Sequence, residues 1–254
     1  MAPDSEVRRP ATKPARPSKS AAIARGDGPL SVYEQLRDRI VRGRLAPGIR
    51  LVESEIAALT GVSRTPVRAA LERLRQEGYI TGASNASGAR LGRAIVAPLT
   101  NEDAREIYLI VAQIEGLAAR EAAMKPRELR RIMVRDMRQS NTEFRATAKS
   151  RMPDSDHLHD LDDAFHQRYV EAGAGPRLLA FHAAVKPQAE RYGRIYTSTL
   201  ISEVGTSAAE HDAIIHALEV GDADEAQRAV QTNWQNAAKR LERVINAVGE
   251  RGTW

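Results

Sequence analysis

The 254-residue chain contains no cysteine, which removes disulfides, thiolate nucleophiles and cysteine-ligated metals from consideration. Aromatic residues make up only 4%, too few for a large β-sandwich of aromatic-rich strands. Ala, Leu, Arg and Glu recur throughout and favour helix packing. No apolar run approaches the roughly 18 residues that a membrane helix requires, and residues 1 to 28 lack the hydrophobic segment of a secretory signal. The expected setting is therefore the cytoplasm, with no membrane partner. The length allows two modest domains or one large one.

What is present is an uneven charge. Residues 1 to 30 carry 6 Lys/Arg against 3 Asp/Glu, residues 31 to 99 carry 11 against 6, and residues 100 to 254 carry 21 against 24. The basic excess thus lies in the first 99 residues and fits a polyanionic partner, since Lys and Arg that neutralise phosphates release condensed counterions. A solvated arginine surface fits the same numbers. Residues 1 to 29 are rich in Pro, Ala, Ser, Arg and Lys and read as a disordered basic tail that can add non-specific DNA contact. A plain spacer has the same composition.

Order is expected from Ser31, where Ser31-Val32-Tyr33-Glu34 has the form of a capping box and Val32, Leu36, Ile40 and Val41 follow at helical spacing. Gly43 stops that helix, and Leu45-Ala46-Pro47-Gly48 makes a turn. Leu51 reads as a core anchor, and a short helix covers about Glu53 to Leu59. Gly61 then permits a tight turn and Ser63 is placed to cap a third helix, Arg64 to about Glu77. Pro66 falls in its first turn, where a missing N–H is tolerated. Two short strands, Gly78 to Thr81 and Arg93 to Val96, with a flexible loop carrying Arg90 between them, complete a hairpin wing. A helix, a Gly-containing turn and an arginine-rich second helix form a helix-turn-helix. Arg64 and Arg68, four apart, project from one face, where an arginine fork matches guanine O6 and N7, and Ser63 and Thr65 can donate to phosphates. A solvated arginine face is the bland alternative.

From Thr100 the pattern is purely helical. Thr100 with Asp103 can cap a helix whose buried stripe is expected to include Ile107, Ile110, Ile114 and Leu117. Further helices are predicted over Pro126 to Ala148, Asp156 to Glu171, Pro176 to Tyr196, Ser207 to Val220 and Asp222 to Val248. Ser207 with Glu210 and Asp222 with Glu225 mark the last two starts, and Gly221 the stop between them. The fold class is mainly α: a winged helix-turn-helix over residues 30–99, then an all-helical antiparallel bundle over 100–248 and a short tail over 249–254. Within the bundle Asp162 and His166 stand at i and i+4 on one helix face, a spacing that serves a shared metal ion or a plain hydrogen bond.

Leu45-Ala46-Pro47-Gly48, Ser63-Arg64-Thr65-Pro66-Val67-Arg68, Leu71 to Leu74 and Glu77-Gly78-Tyr79 resemble the winged-helix domain of the GntR family of transcription regulators, in order, over residues 31 to 98. The departure is a wing longer than usual between Thr81 and Arg93. The resemblance implies DNA contact through Ser63, Arg64, Thr65, Arg68 and Arg90.

Residues from Asn101 to about Ala247 resemble the FadR-type branch of that family, whose C-terminal FCD domain is an antiparallel helical bundle. There a D-x-x-F-H pattern, an E-H pair and a histidine on the last helix hold a divalent metal beside an organic-acid effector. The resemblance places Asp162, His166 and His211 on three ligand positions and Asn233 on the fourth, usually a histidine. An amide oxygen in place of imidazole weakens a site for zinc or nickel and leaves room for water, so the cofactor is a divalent ion of the Zn, Ni or Mn class or else a water-filled polar pocket takes its place. Val111 stands where many relatives carry an arginine, four residues before the matched Glu115. An effector carboxylate then needs another cation, and Arg191 and Arg194 are the candidates. His216 should face away from the site, His157 and His159 should be solvated, and His182 reads as a pocket or packing residue.

The expected function is a homodimeric, ligand-responsive repressor that binds a two-fold symmetric operator and is not an enzyme. Two alternatives are a metal-dependent enzyme using Asp162, His166 and His211, which lacks a recognisable catalytic base, and an effector-independent DNA-binding protein with a collapsed pocket.

Overall fold

The computed structural model describes residues 29–82 and 94–253. The expected basic tail, most of the wing loop and Arg90 lie outside the described residues.

The N-terminal part is a winged helix-turn-helix of α1 (Pro29–Val41), β1 (Arg50–Leu51), α2 (Glu53–Thr60), α3 (Arg64–Gln76), β2 (Ile80–Thr81) and β3 (Ala94–Val96). Its first helix opens at Pro29, two residues ahead of the expected Ser31 start. Gly61 takes φ +71° at the end of α2, and its N–H closes on the Ala57 carbonyl, the left-handed cap that turns the chain into α3. Val67, Ala70, Leu71 and Leu74 of α3 pack with Val32, Leu36, Ile40 and Leu51 in one core. The wing is not a plain hairpin. β3 lies between β1 and β2, antiparallel to both, with Leu51 opposite Ala94 and Ile80 opposite Val96. Leu51 is thus an anchor because it sits on a strand, one too short for alternation to reveal.

Past Leu99 follows an all-helical bundle of α4 (Asn101–Ala123), α5 (Arg127–Ala148), α6 (Ser155–Gly173), α7 (Pro176–Leu200), α8 (Val204–Val220) and α9 (Ala223–Val248). Local capping sets several starts. The Thr100 hydroxyl accepts from the Asp103 N–H, the Asp154 carboxylate from the N–H groups of Asp156 and His157, and the Asp222 carboxylate from the Glu225 N–H, each satisfying donors that a helix start leaves open. Gly221, at φ +84°, ends α8. Ser207 does not open that helix: a 3₁₀ turn, Ile201–Glu203, leads into it at Val204. After α9 the chain turns back, and Leu99 and Arg251 exchange backbone hydrogen bonds of 2.8 and 3.1 Å.

The central helix is α4, which contacts α6, α7, α8 and α9. Small residues make this possible. Ala112, Gly116, Ala118, Ala119, Ala122 and Ala123 are buried, and Gly173 of α6 lies so near that an added Cβ would meet the Ala118 carbonyl oxygen. The buried stripe is therefore not the expected one. Tyr108, Val111 and Glu115 face inward, Ile107 and Ile114 are half-buried, and Ile110 and Leu117 are 40% and 45% exposed.

Candidate functional site

Two surfaces concentrate the chemistry. The first is the start of α3. With Val67, Ala70 and Leu71 fixing one face of the helix in the core, Ser63, Arg64, Thr65 and Arg68 are all exposed. Ser63 has the extended backbone of an N-cap, but its side chain makes no capping bond. Arg68 Nε donates to Glu53 Oε2 at 2.8 Å, with its side chain 48% exposed. Such a solvated pair is worth about 0–1 kcal/mol, little enough to be exchanged for a base edge.

The second is the bundle centre, organised around Glu115 of α4. Its carboxylate is fully buried. Oε2 faces His166 Nδ1 at 2.7 Å, the Tyr169 hydroxyl at 2.6 Å and Trp234 Nε1 at 2.8 Å, while Oε1 faces His182 Nε2 at 3.0 Å and Lys186 Nζ at 3.9 Å. Burial alone would raise its pKa, but His166 and Lys186 beside it hold the carboxyl well below the usual range. Glu115 is thus an anion enclosed by donors from α6, α7 and α9.

That arrangement fixes His166. Its Nδ1 is engaged by a carboxylate and so carries a proton, which leaves Nε2 as the nitrogen that can offer a lone pair once the ring gives up its second proton. His211 of α8 is held in the same way. Its Nδ1 lies 3.1 Å from Asn141 Oδ1, whose own amide nitrogen donates to the Ala208 carbonyl, and its ring stacks on Phe165 at 3.9 Å. His211 Nε2, sealed from solvent, has no hydrogen-bond partner among the described residues, although Asp162 Oδ1 is only 3.3 Å away. One ligand atom each from Asp162, His166 and His211 lie within 4.8 Å of one another. A carboxylate oxygen and two imidazole nitrogens this close together are, when the imidazoles are neutral, the donor set of a divalent cation. Asn233 of α9 borders the same cavity. Its amide nitrogen donates to Glu210 Oε2 at 2.9 Å, so its oxygen is the atom it has to offer.

The ligand cluster opens on a cavity of about 120 Å³ among α4, α5, α6, α7, α8 and α9, with Tyr108, Phe144 and Trp234 among its walls. Neither Arg191 nor Arg194 is among its lining residues. Arg191 points the other way, its Nη2 donating to the Ala97 carbonyl at 2.9 Å. Arg194 Nη2 donates to Asp160 at 2.7 Å on the outside of α6. The cavity cations are instead Lys186, paired with Asp163, and Arg240, whose two terminal nitrogens hold Glu210 at 2.8 and 3.0 Å. Arg240 was within reach of sequence reasoning, since it follows Asn233 by seven residues and so shares its helix face. His159, expected in solvent, borders the cavity, where burial lowers its pKa to about 4.

Comparison with known proteins gives a consistent picture. The profile of the bacterial regulatory proteins of the gntR family matches residues 30–87, and that of the FCD domain matches residues 106–236. The chain is 29% identical over 213 residues to an HTH-type transcriptional regulator in the unstable DNA locus of Streptomyces ambofaciens, covering 84% of each chain. It is 31% identical over 144 residues to an HTH-type regulator from the TAR-I ttuE-ttuC' intergenic region of Agrobacterium vitis, covering 57% of this chain and 80% of that one. A GntR structure from Rhodococcus sp. RHA1 superposes with a TM-score of 0.64 at 22% identity over 84% of this chain and 96% of that one, so the fold is shared.

Proposed function

The chain belongs to the gntR family of bacterial regulatory proteins, in the branch that carries an FCD domain, and from that premise we propose a homodimeric repressor whose grip on operator DNA is set by a small organic acid bound beside a divalent metal. The α3 helix enters the major groove. Arg64 and Arg68 read guanine edges, Ser63 and Thr65 orient the helix on phosphates, and Arg90 adds a wing contact. A two-fold operator presents one half-site to each copy.

The observation that supports the regulatory half is the pair of imidazoles whose Nδ1 atoms are committed to Glu115 and Asn141, so that the other nitrogen of each ring is the one that can serve as a ligand. Asp162, His166 and His211 would hold the ion, with Asn233 as a weak fourth ligand. Zinc, nickel and manganese are the candidate class, and the amide oxygen tilts the set toward the harder end. When bound, the ion supplies a positive charge that a carboxylate can complete. Lys186 and Arg240, in place of Arg191 and Arg194, supply the protein's own cations at the cavity. Binding that favours one arrangement of the two recognition helices by about 1–3 kcal/mol changes operator affinity roughly 5- to 150-fold.

Elemental analysis of wild-type protein and H211A tests the metal reading, with retention of about one divalent ion per chain expected only in the former. Footprinting on genomic fragments, with and without chelator, tests the operator reading. Wild-type protein that never retains an ion would overturn the first, and no protected site at any ionic strength would overturn the second.

A further inference from the structure

One helix touches both halves of the molecule. Toward the bundle centre α7 presents Lys186, Ala189, Glu190, Gly193 and Thr197 to the cavity. Elsewhere along its length it holds the winged helix-turn-helix. The Ala183 carbonyl accepts a 3.0 Å hydrogen bond from Arg37 Nη2 of α1, the Gln188 amide donates to the Glu77 carbonyl at the end of α3, and Arg191 donates to the Ala97 carbonyl past β3. Arg37 is itself positioned by Tyr79, whose hydroxyl accepts from Nε at 3.2 Å.

Pro187 lies inside this helix. Proline has no amide hydrogen, and its ring crowds the carbonyl four residues earlier, which here is that of Ala183. In an uninterrupted helix this carbonyl would close on the N–H of residue 187; here a guanidinium from α1 reaches it. The interruption is also one residue from Lys186, which bonds Asp163 of α6 across the cavity and faces Glu115 of α4. Cavity pairing, a missing helix hydrogen-bond donor and winged-helix anchor therefore occupy a single turn.

We propose that this turn is a latch between the effector cavity and the DNA-binding head: Pro187 frees the Ala183 carbonyl for Arg37, and engagement of Lys186 from the cavity displaces that carbonyl and loosens the head. A helix with all its hydrogen bonds would resist such a local shift, whereas the bond that Pro187 cannot make leaves a place where bending concentrates. Pro187 and Arg37 are positioning residues in this scheme, since neither lines the cavity. The direction of signalling rests on the function proposed above; the mechanical link does not.

The link can be tested on the full-length protein without operator or effector, by amide hydrogen exchange. K186M removes the cavity-side pairing while keeping the length of the side chain. The readout is exchange across Pro29–Val41 relative to that across Arg127–Ala148, a ratio that cancels any general loss of stability. We expect K186M to raise the ratio by about fivefold, the scale of one hydrogen bond near 1 kcal/mol, and by less than twofold in the P187A and R37A backgrounds. P187A favours helix, so folding of that background is secure. An unchanged ratio in K186M, or an equal rise in the P187A background, would overturn the latch. Failure of the operator reading would appear in footprinting and leave this ratio as it is.

Discussion

Replacing Glu115 by Gln tests the organisation of the bundle most directly, because it keeps the shape and removes the charge. The amide nitrogen must take the place of one carboxylate oxygen. At Oε2 it would face His166, Tyr169 and Trp234, three donors within 2.8 Å. At Oε1 it faces His182, which can accept by changing tautomer, and the Lys186 ammonium. The second placement is the milder, yet it leaves Lys186 without one of its two anions and turns three charge-assisted bonds into neutral ones, each of which is about half as strong. Breaking a buried ion pair by removing one partner costs about 3–5 kcal/mol. The retained oxygen offsets part of this, so about 3 kcal/mol is expected for E115Q, and more for E115A, which also opens a cavity. Urea titration of metal-free protein should show the midpoint falling with the slope unchanged. Metal affinity should drop roughly 10- to 100-fold as well, because the carboxylate no longer fixes the His166 tautomer. An E115Q midpoint within about 0.5 kcal/mol of wild type would mean that these donors do not depend on a buried anion.

Three further outcomes are expected. R68A should lose sequence preference on operator fragments by about 1–3 kcal/mol per half-site while keeping its circular dichroism and melting temperature, since among the described residues its ion-pair partner is Glu53, which stays in reach of solvent. G173A should destabilise the bundle by at least about 2 kcal/mol in the same urea assay, because its Cβ would collide with the Ala118 carbonyl oxygen and α6 must move away from α4. N233H should tighten zinc or nickel in competition with a colorimetric chelator, by supplying imidazole in place of an amide oxygen; unchanged affinity would place residue 233 outside the coordination sphere.

The parts of this molecule that are legible in its sequence are those decided locally. Thr100, Asp222, Gly61 and Gly221 mark helix ends because capping and left-handed turns involve residues three or four apart, and the arginines at the start of α3 are exposed because Val67, Ala70 and Leu71 fix the opposite face. Ser207 misleads for the same reason: its spacing to Glu210 has the form of a cap, but the chain was already helical from Val204. The hub is of another kind. Glu115 meets partners 51 to 119 residues away, and no periodicity reports contacts of that separation. Arg191 and Arg194, read as effector cations, lie on the helix that borders the cavity but are not among its lining residues. Lys186 faces the cavity, and a residue five positions on is turned by roughly 140°, which carries Arg191 toward Ala97 instead.

The stripe on α4 shows how a correct period can be assigned to the wrong partner. Ile107, Ile110, Ile114 and Leu117 recur at intervals of three, four and three, the spacing of a helix-pairing seam. Within one chain, α6, α7, α8 and α9 cover the other side of the helix, around Val111, Ala112 and Glu115, and Ile110 and Leu117 stay exposed; in the dimer proposed above, a second copy would cover them across the two-fold axis. L117E tests this. Leu117 is 45% exposed in the single chain, so the substitution should leave the urea midpoint of a dilute monomer within about 0.5 kcal/mol. In the dimer the change occurs twice by symmetry. Each lost leucine contact is worth about 1.5–3 kcal/mol, and each introduced carboxylate must be desolvated. Sedimentation equilibrium should therefore show dimer dissociation strengthened by at least roughly a hundredfold, the equivalent of about 3 kcal/mol. An L117E protein that remains dimeric at the wild-type concentration range would place the subunit contact on another face.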